Sequence, residues 1–263
     1  MRAPLRILCV GLALLFVAGI SAAPAKAEVG IVLLHGKFGA PDKHIDVLAS
    51  ALRSAGYLVS TPEMPWSKRR NYDAGFLAGL AEVDLAVRGL RAKGASQVLV
   101  GGHSLGGNAA LAYAARYPGL AGVVCLAAAH TPDIGRALEI SRESVAQARA
   151  LVAAGKGASQ ARFTDLNMGK PHDMVVSAEV YLSYYDPQGP AAMPVSAGMI
   201  QPPLPILWIA GALDPLSRPG PGYAFDRAPA HPQSRYATVD ADHLGTPTAA
   251  APLVLEWLKA LPR

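Results

Sequence analysis

The run Val98-Leu-Val-Gly-Gly-His-Ser104-Leu-Gly-Gly-Asn108 narrows what this chain can fold into more than any other stretch. A short apolar segment ends in a glycine-flanked serine and passes directly into an alanine-rich stretch that stops at Pro118. Within it, Gly102-His103-Ser104-Leu105-Gly106 matches G-x-S-x-G, the nucleophile elbow, in which a strand turns sharply into a helix and its serine stands clear of the sheet. The turn forces the serine into a strained backbone conformation. Glycines are needed two before and two after it because a Cβ there would collide with the neighbouring strand and helix. Gln97 to Gly101 reads as a buried strand and Leu105 to Tyr117 as a helix, the context the motif requires. The rival reading is a glycine-rich turn with an inert serine.

With 263 residues the chain can build one large α/β domain, and 51% hydrophobic against 16% charged residues excludes a disordered one. Part of that apolarity belongs to a leader. Arg2 and Arg6 precede an uninterrupted small and apolar run from Ile7 to Ile20, and Ala25-Lys26-Ala27 supplies an A-x-A cleavage signal. Residues 1–27 are therefore expected to be a secretory signal peptide, the mature chain starting at Glu28 in the periplasm or outside the cell. An uncleaved anchor is the alternative, but the run falls short of the ~20 residues a spanning helix needs, so no stable membrane insertion is expected after cleavage. Losing Arg2, Arg6 and Lys26 lowers the formal charge of +5 by three, and nothing resembles a nucleic-acid footprint. Cys9 leaves with the leader, so Cys125 has no disulfide partner and reads as a buried thiol; no metal site can be built from thiols.

From Val29 the chain alternates strand and helix. Val29 to Leu34 is a continuous apolar run, as a strand buried on both faces requires, and leads into His35-Gly36-Lys37-Phe38-Gly39. A helix is expected over 42–55, a strand over 57–61, a helix over 76–93, then the elbow and a strand over 122–128. Strands at 205–210 and 235–239 and a helix over 249–261 close the chain. This order specifies a mostly parallel sheet with right-handed crossovers and helices on both faces. The stretch 131–203 interrupts it: 134–152 reads as one or two amphipathic helices, 161–174 as polar and turn-rich, and 178–185 as helix or strand. We expect this insertion to cap Ser104, because it leaves from the reactive edge and carries more apolar residues than a solvated segment would.

A serine hydroxyl is a poor nucleophile at neutral pH and needs a base, with an acid behind it. Asp214, in Gly211-Ala-Leu-Asp-Pro215, and His243, in Asp240-Ala-Asp-His243, both follow late core strands and so reach the same sheet edge as Ser104. Asp240 and Asp242 compete with Asp214, but their closeness to His243 suits them to steadying its loop. The order Ser, Asp, His is that of an elbow-bearing fold. The backbone N–H of Leu105 and that of Lys37 are the expected oxyanion donors, with no part assigned to the lysine side chain. Phe38, Trp66 and His130 are the candidate substrate contacts. His35 and His103 read as structural, and His44, His172 and His231 as solvated. Lys68-Arg69-Arg70 reads either as a solvated loop or as a charged rim of the site mouth.

Together the His-Gly loop, the Gly-His-Ser-Leu-Gly elbow, the Asp-Pro after the penultimate core strand and the final histidine resemble the α/β-hydrolase superfamily. The likeness covers nearly all of 28–263. It implies a cofactor-free hydrolase with Ser104, Asp214 and His243 as its triad, acting on a small ester or other acyl substrate. Serine in the elbow sets it apart from the dehalogenase and epoxide-hydrolase branches, which use aspartate, and from dienelactone hydrolases, which use cysteine. The antiparallel strands that usually precede the His-Gly strand are missing. The expected activity is carboxylic ester hydrolysis through an acyl-enzyme on Ser104. The alternatives are cleavage of a thioester or amide, and a binding protein that kept the fold without the chemistry.

Overall fold

A computed structural model of the chain describes residues 28–262. The leader expected at residues 1–27 lies outside the described residues. The core is a six-stranded sheet in which every neighbouring pair is parallel. In chain order its parts are β1 (Glu28–Leu34), α1 (Asp46–Ser54), β2 (Leu58–Ser60), α2 (Phe76–Ala92), β3 (Ala95–His103), α3 (Leu105–Ala114) and β4 (Gly122–Leu126). The insertion follows as α4 (Gly135–Ala153), β5 (Gln160–Asn167), β6 (Lys170–Ser177), α5 (Ala178–Tyr185) and α6 (Met193–Gly198). The chain then rejoins the sheet through β7 (Ile206–Gly211) and β8 (Arg235–Val239), and ends in α7 (Thr246–Ala249) and α8 (Ala251–Ala260).

Period-two alternation sorts the strand side chains between the two faces. Ile31 and Leu33 of β1 face α1 and α8, together with Leu99, Val124, Leu126 and Ile209. Val32 and Leu34 face the opposite way, with Val98, Val100, Val123 and Cys125, against α2 and α3. Both faces are covered, so β4, β7 and the Val98 to Gly102 part of β3 read as unbroken apolar runs, as a doubly covered parallel sheet demands.

The strand order β2-β1-β3-β4-β7-β8 reverses direction between β1 and β3. Connections leave these two neighbours toward opposite edges, opening a crevice at their carboxyl ends where open α/β sheets place their ligands. The register brings the other late strands to the same level: His103 pairs with Leu126, Leu126 with Ile209, and Gly211 with Val239. Ser104, His130, Asp214 and His243 therefore all emerge on one edge.

At the elbow, Ser104 has φ 54° and ψ −122°, with α3 beginning at the next residue. The serine N–H donates to the Leu126 carbonyl at 2.9 Å, tying the turn to β4. A Cβ on Gly106 would lie 2.5 Å from the Leu34 carbonyl oxygen and one on Gly102 would strike the backbone of Gly106, so both glycines are required by close approach.

One local boundary changes and two open alternatives are resolved. The first helix starts at Asp46 rather than 42, because His44 takes a left-handed turn at φ 65°. Residues 134–152 form one helix, and 178–185 is a helix capped by the Ser177 hydroxyl, which accepts from the Val180 N–H. The larger difference is at 161–174, where β5 and β6 form an antiparallel hairpin with Asn167 opposite Lys170. Met168 and Gly169 fill its two-residue turn, both at positive φ (49° and 75°), which matches the twist of the flanking strands. The hairpin escapes detection because Asp165, completely buried, stands where the alternation calls for an apolar residue.

Gly106→Ala is expected to destabilise the fold by about 2–3 kcal/mol or more, the range for forcing extra atoms into a packed interior. Chemical denaturation should show the loss, with Gly89→Ala in the interior of α2, where a Cβ meets nothing and alanine is the better helix former, as a comparison expected to gain up to about 1 kcal/mol.

Candidate active site

Asp214 and His243 meet as expected. The His243 Nδ1–H donates to Asp214 Oδ2 at 2.7 Å, with both side chains at most 5% exposed. Asp214 also accepts from the Leu216 N–H at 2.9 Å and the Ser217 hydroxyl at 3.3 Å. Burial alone would raise the Asp214 carboxyl, but the His243 contact and these donors outweigh it and hold the group below the usual carboxylate range. The carboxylate is thus ionised at neutral pH, and the donation it receives leaves His243 Nε2 free to accept a proton. Asp242 caps the histidine loop, accepting from the Gly245 N–H at 2.7 Å. The His103 Nε2–H donates to the His243 carbonyl at 2.9 Å. That holds the base loop against the elbow, and desolvation keeps His103 neutral by lowering its pKa to about 3.

Ser104 and His243 share the walls of two adjoining open clefts. Among the described residues no hydrogen bond joins the Ser104 hydroxyl to His243, whose bonded ring nitrogen is Nδ1. Gly36 packs directly on the elbow: a Cβ placed there would lie 3.1 Å from the Ser104 Cβ. Its carbonyl accepts from the Gly39 N–H at 3.0 Å and from the His35 Nδ1–H at 2.8 Å, so the peptide carrying the Lys37 N–H is held in one orientation. The Leu105 N–H opens α3, where the first amides of a helix have no intrahelical acceptor. Lys37 and Ser104 thus line the same cleft, and Leu105 follows the serine directly.

The three candidate contacts separate. His130 lines the cleft on the insertion side and donates from Nε2 to the Tyr184 carbonyl at 2.7 Å. Phe38 lines the second cleft, its backbone at φ 51° and its N–H donating to the Trp66 carbonyl. Trp66 corrects the expectation for it. It is fully buried, its indole N–H donating to the His35 carbonyl at 2.8 Å, and it props the loop after β1 without reaching either cleft. Arg70 is bound to Glu82 and Asp73, and Arg69 to Glu63, so the basic cluster holds its own loop together away from Ser104.

Several residues at the site carry no sequence signal. The Lys37 side chain is only 7% exposed, and its ammonium donates to Asp165 Oδ1 at 2.6 Å, to the Leu166 carbonyl at 3.2 Å and to the Tyr185 hydroxyl at 3.3 Å. His172, expected in solvent, packs on Phe38 with ring centroids 5.2 Å apart and brings Nε2 within 3.3 Å of Asp165 Oδ2. Asn108 in α3 is buried and spans the insertion, donating to the His130 carbonyl at 2.6 Å and the Ala191 carbonyl at 3.0 Å. Cys125 is buried as expected, and burial raises its thiol. Among the described residues no three His, Cys, Asp or Glu side chains gather to hold a metal, and no helix is long and apolar enough to cross a membrane.

A family model described as the alpha/beta hydrolase fold matches residues 30–171, more than half of the chain. The chain belongs to the α/β-hydrolase family. Solved structures agree in fold. One of the metagenome-derived lipolytic enzymes LipS and LipT superposes with a TM-score of 0.62 at 17% identity, covering 89% of this chain and 93% of that one. The monoacylglycerol lipase of Paleococcus ferrophilus does so with a TM-score of 0.62 at 18% identity, covering 89% and 95%. A thioesterase domain from the curacin biosynthetic pathway gives 0.56 at 16% identity, covering 88% and 91%. No curated protein matches this α/β-hydrolase by sequence.

The buried histidines set an acid limit on this hydrolase's stability. Desolvation lowers His130 to about 4, against 6.5 for the free side chain. Between these values the unfolded chain binds a proton that the folded one does not, so stability falls as pH drops through that window. The loss expected from His130 is on the order of 3 kcal/mol. His130→Gln retains a donor for the Tyr184 carbonyl and should flatten the slope. Urea unfolding at pH 7, 5.5 and 4 measures it.

Proposed function

We propose that this protein is a serine hydrolase acting on carboxylic esters through an acyl-enzyme on Ser104. The observation that carries the reading is the 2.7 Å Asp214–His243 pair set beside a serine held at φ 54°. In the first half-reaction His243 Nε2 takes the proton of Ser104 Oγ as the oxygen bonds to the ester carbonyl carbon. The carbonyl oxygen becomes an oxyanion that accepts from the Leu105 and Lys37 N–H groups. Collapse of this intermediate breaks the bond to the alcohol oxygen, which leaves with the proton from His243. In the second half-reaction a water gives its proton to His243 and attacks the acyl carbon. A second collapse frees the acid and returns the proton to Ser104. Each oxyanion donor is worth roughly 10²–10³ in rate in such sites. The fold likeness to lipolytic enzymes supports the ester reading; the thioesterase likeness marks thioesters as the neighbouring alternative. We further infer that the chain is exported and cleaved after Ala27. N-terminal sequencing of the protein recovered outside the cytoplasm checks this.

A fluorophosphonate probe should label the purified protein stoichiometrically, and Ser104→Ala should abolish the label. Asp214→Asn is expected to cut ester turnover by about 10³–10⁴ with the fold intact, because the imidazole loses the partner that sets its tautomer. Absence of labelling in the folded wild-type protein would rule the enzyme out in favour of a binding role.

A further inference from the structure

The β5–β6 hairpin stands over the nucleophile. Asn167 at the end of β5 and Met168 of the turn line both clefts that contain Ser104 and His243. Most of what steadies the hairpin comes from within the insertion itself. The Thr164 N–H donates to the Ser144 hydroxyl of α4 at 2.9 Å, and the Tyr181 hydroxyl of α5 donates to the Thr164 carbonyl at 2.7 Å. Those bonds, with the Phe163–Tyr181 ring stack, secure the middle of the hairpin to its own helices, and the tip beyond Thr164 is held by other ties.

The ties from hairpin to core run through the loop after β1. Phe38 touches His172 through an edge-on ring contact, and Lys37 supplies the hydrogen bonds. All three ammonium hydrogens of Lys37 have acceptors, two of them in the last residues of β5 before the turn. The residues on either side of Lys37 are held by the core: the Gly36 carbonyl by His35 and Gly39, and the Phe38 N–H by Trp66. The lysine is therefore rooted in a rigid loop and grips the hairpin at its far end. A buried ion pair adds little net stability over an apolar pair of the same volume, whereas its hydrogen bonds are directional and set position.

We propose that the Lys37–Asp165 ion pair is a specificity-determining clamp, which fixes the hairpin tip at one height over Ser104 and thereby limits the length of acyl group the site accepts. Asp165 acts through the hairpin and is a positioning residue; Asn167 and Met168 form the wall the substrate meets. This rests on the serine-hydrolase reading for its substrate, but the clamp itself is a property of the fold.

The test compares acetate, butyrate and octanoate esters of p-nitrophenol. In Asp165→Asn the ratio of kcat/KM for octanoate over acetate is expected to rise at least tenfold as the tip loses its anchor. If the stranded Lys37 charge prevents folding, the double variant Lys37→Met/Asp165→Leu removes both charges at similar volume and keeps the residue 37 amide. The same rise is expected there, since apolar contact does not dictate height. A ratio within twofold of wild type in whichever variant folds would overturn the clamp. Hydrogen exchange separates its failure from that of the functional reading. Faster exchange of the 166–170 amides in the variant supports the clamp even if wild-type protein fails to label with fluorophosphonate, and unchanged exchange counts against it even if labelling succeeds.

Discussion

Everything at the reactive edge depends on how closely α3 approaches the end of β1. The Cα of Gly106 sits so near the Leu34 carbonyl that no side chain fits between them, and this contact bends the chain sharply enough to hold Ser104 at φ 54°. A non-glycine residue in such a conformation costs on the order of 1–3 kcal/mol, and it persists only where its surroundings overdetermine it. Here they do. The Ser104 N–H is bonded to the end of β4, α3 is buried along its whole length, and Gly36 packs on the serine from the β1 side.

From that fixed point the site is assembled by two kinds of force. The sheet supplies coarse placement, because parallel strands in register deliver the loops after β1, β3, β4, β7 and β8 to one edge. Buried polar contacts supply the fine placement. Three neutral histidines serve as fixed hydrogen-bonding parts: His35 holds the Gly36 carbonyl, His103 holds the His243 carbonyl, and His130 holds α5 through the Tyr184 carbonyl. Burial lowers the pKa of each, so all three are single-donor imidazoles at neutral pH. The insertion is joined to this core by apolar packing of α5 and α6, with Tyr184 set among Trp66, Tyr72 and Phe76, and by polar ties from Asn108 and Lys37, rather than by a continuous sheet.

The features legible in the amino-acid sequence are those governed by local rules. The elbow glycines, the apolar strand runs and the chain order of serine, aspartate and histidine are each tied to a backbone geometry or a two- or four-residue period, and those survive in one dimension. Asp214 is distinguishable from Asp240 and Asp242 because its place after β7 follows from strand order. The hairpin at 160–177 is not legible, because one buried aspartate breaks the alternation by which strands are recognised, and its stabilising partner lies 128 residues away. Trp66 misleads for a related reason. A large aromatic in a proline-rich loop after a strand has the address of a substrate contact, and only the packing of that loop beneath His35 turns the indole inward.

Periodicity, glycine sterics and the handedness of crossovers are enough to specify the sheet, its parallel sense and the identity of the groups brought to its carboxyl edge, and all three are written along the chain. What surrounds those groups is settled by packing between distant segments: the Lys37 side chain turns into the insertion while its amide stays with the serine, Asp165 meets it there, and the hairpin turn overhangs the clefts. The physical reason is that a buried charge is tolerated only beside its partner, and which partner it finds depends on the folded arrangement of segments far apart in the chain.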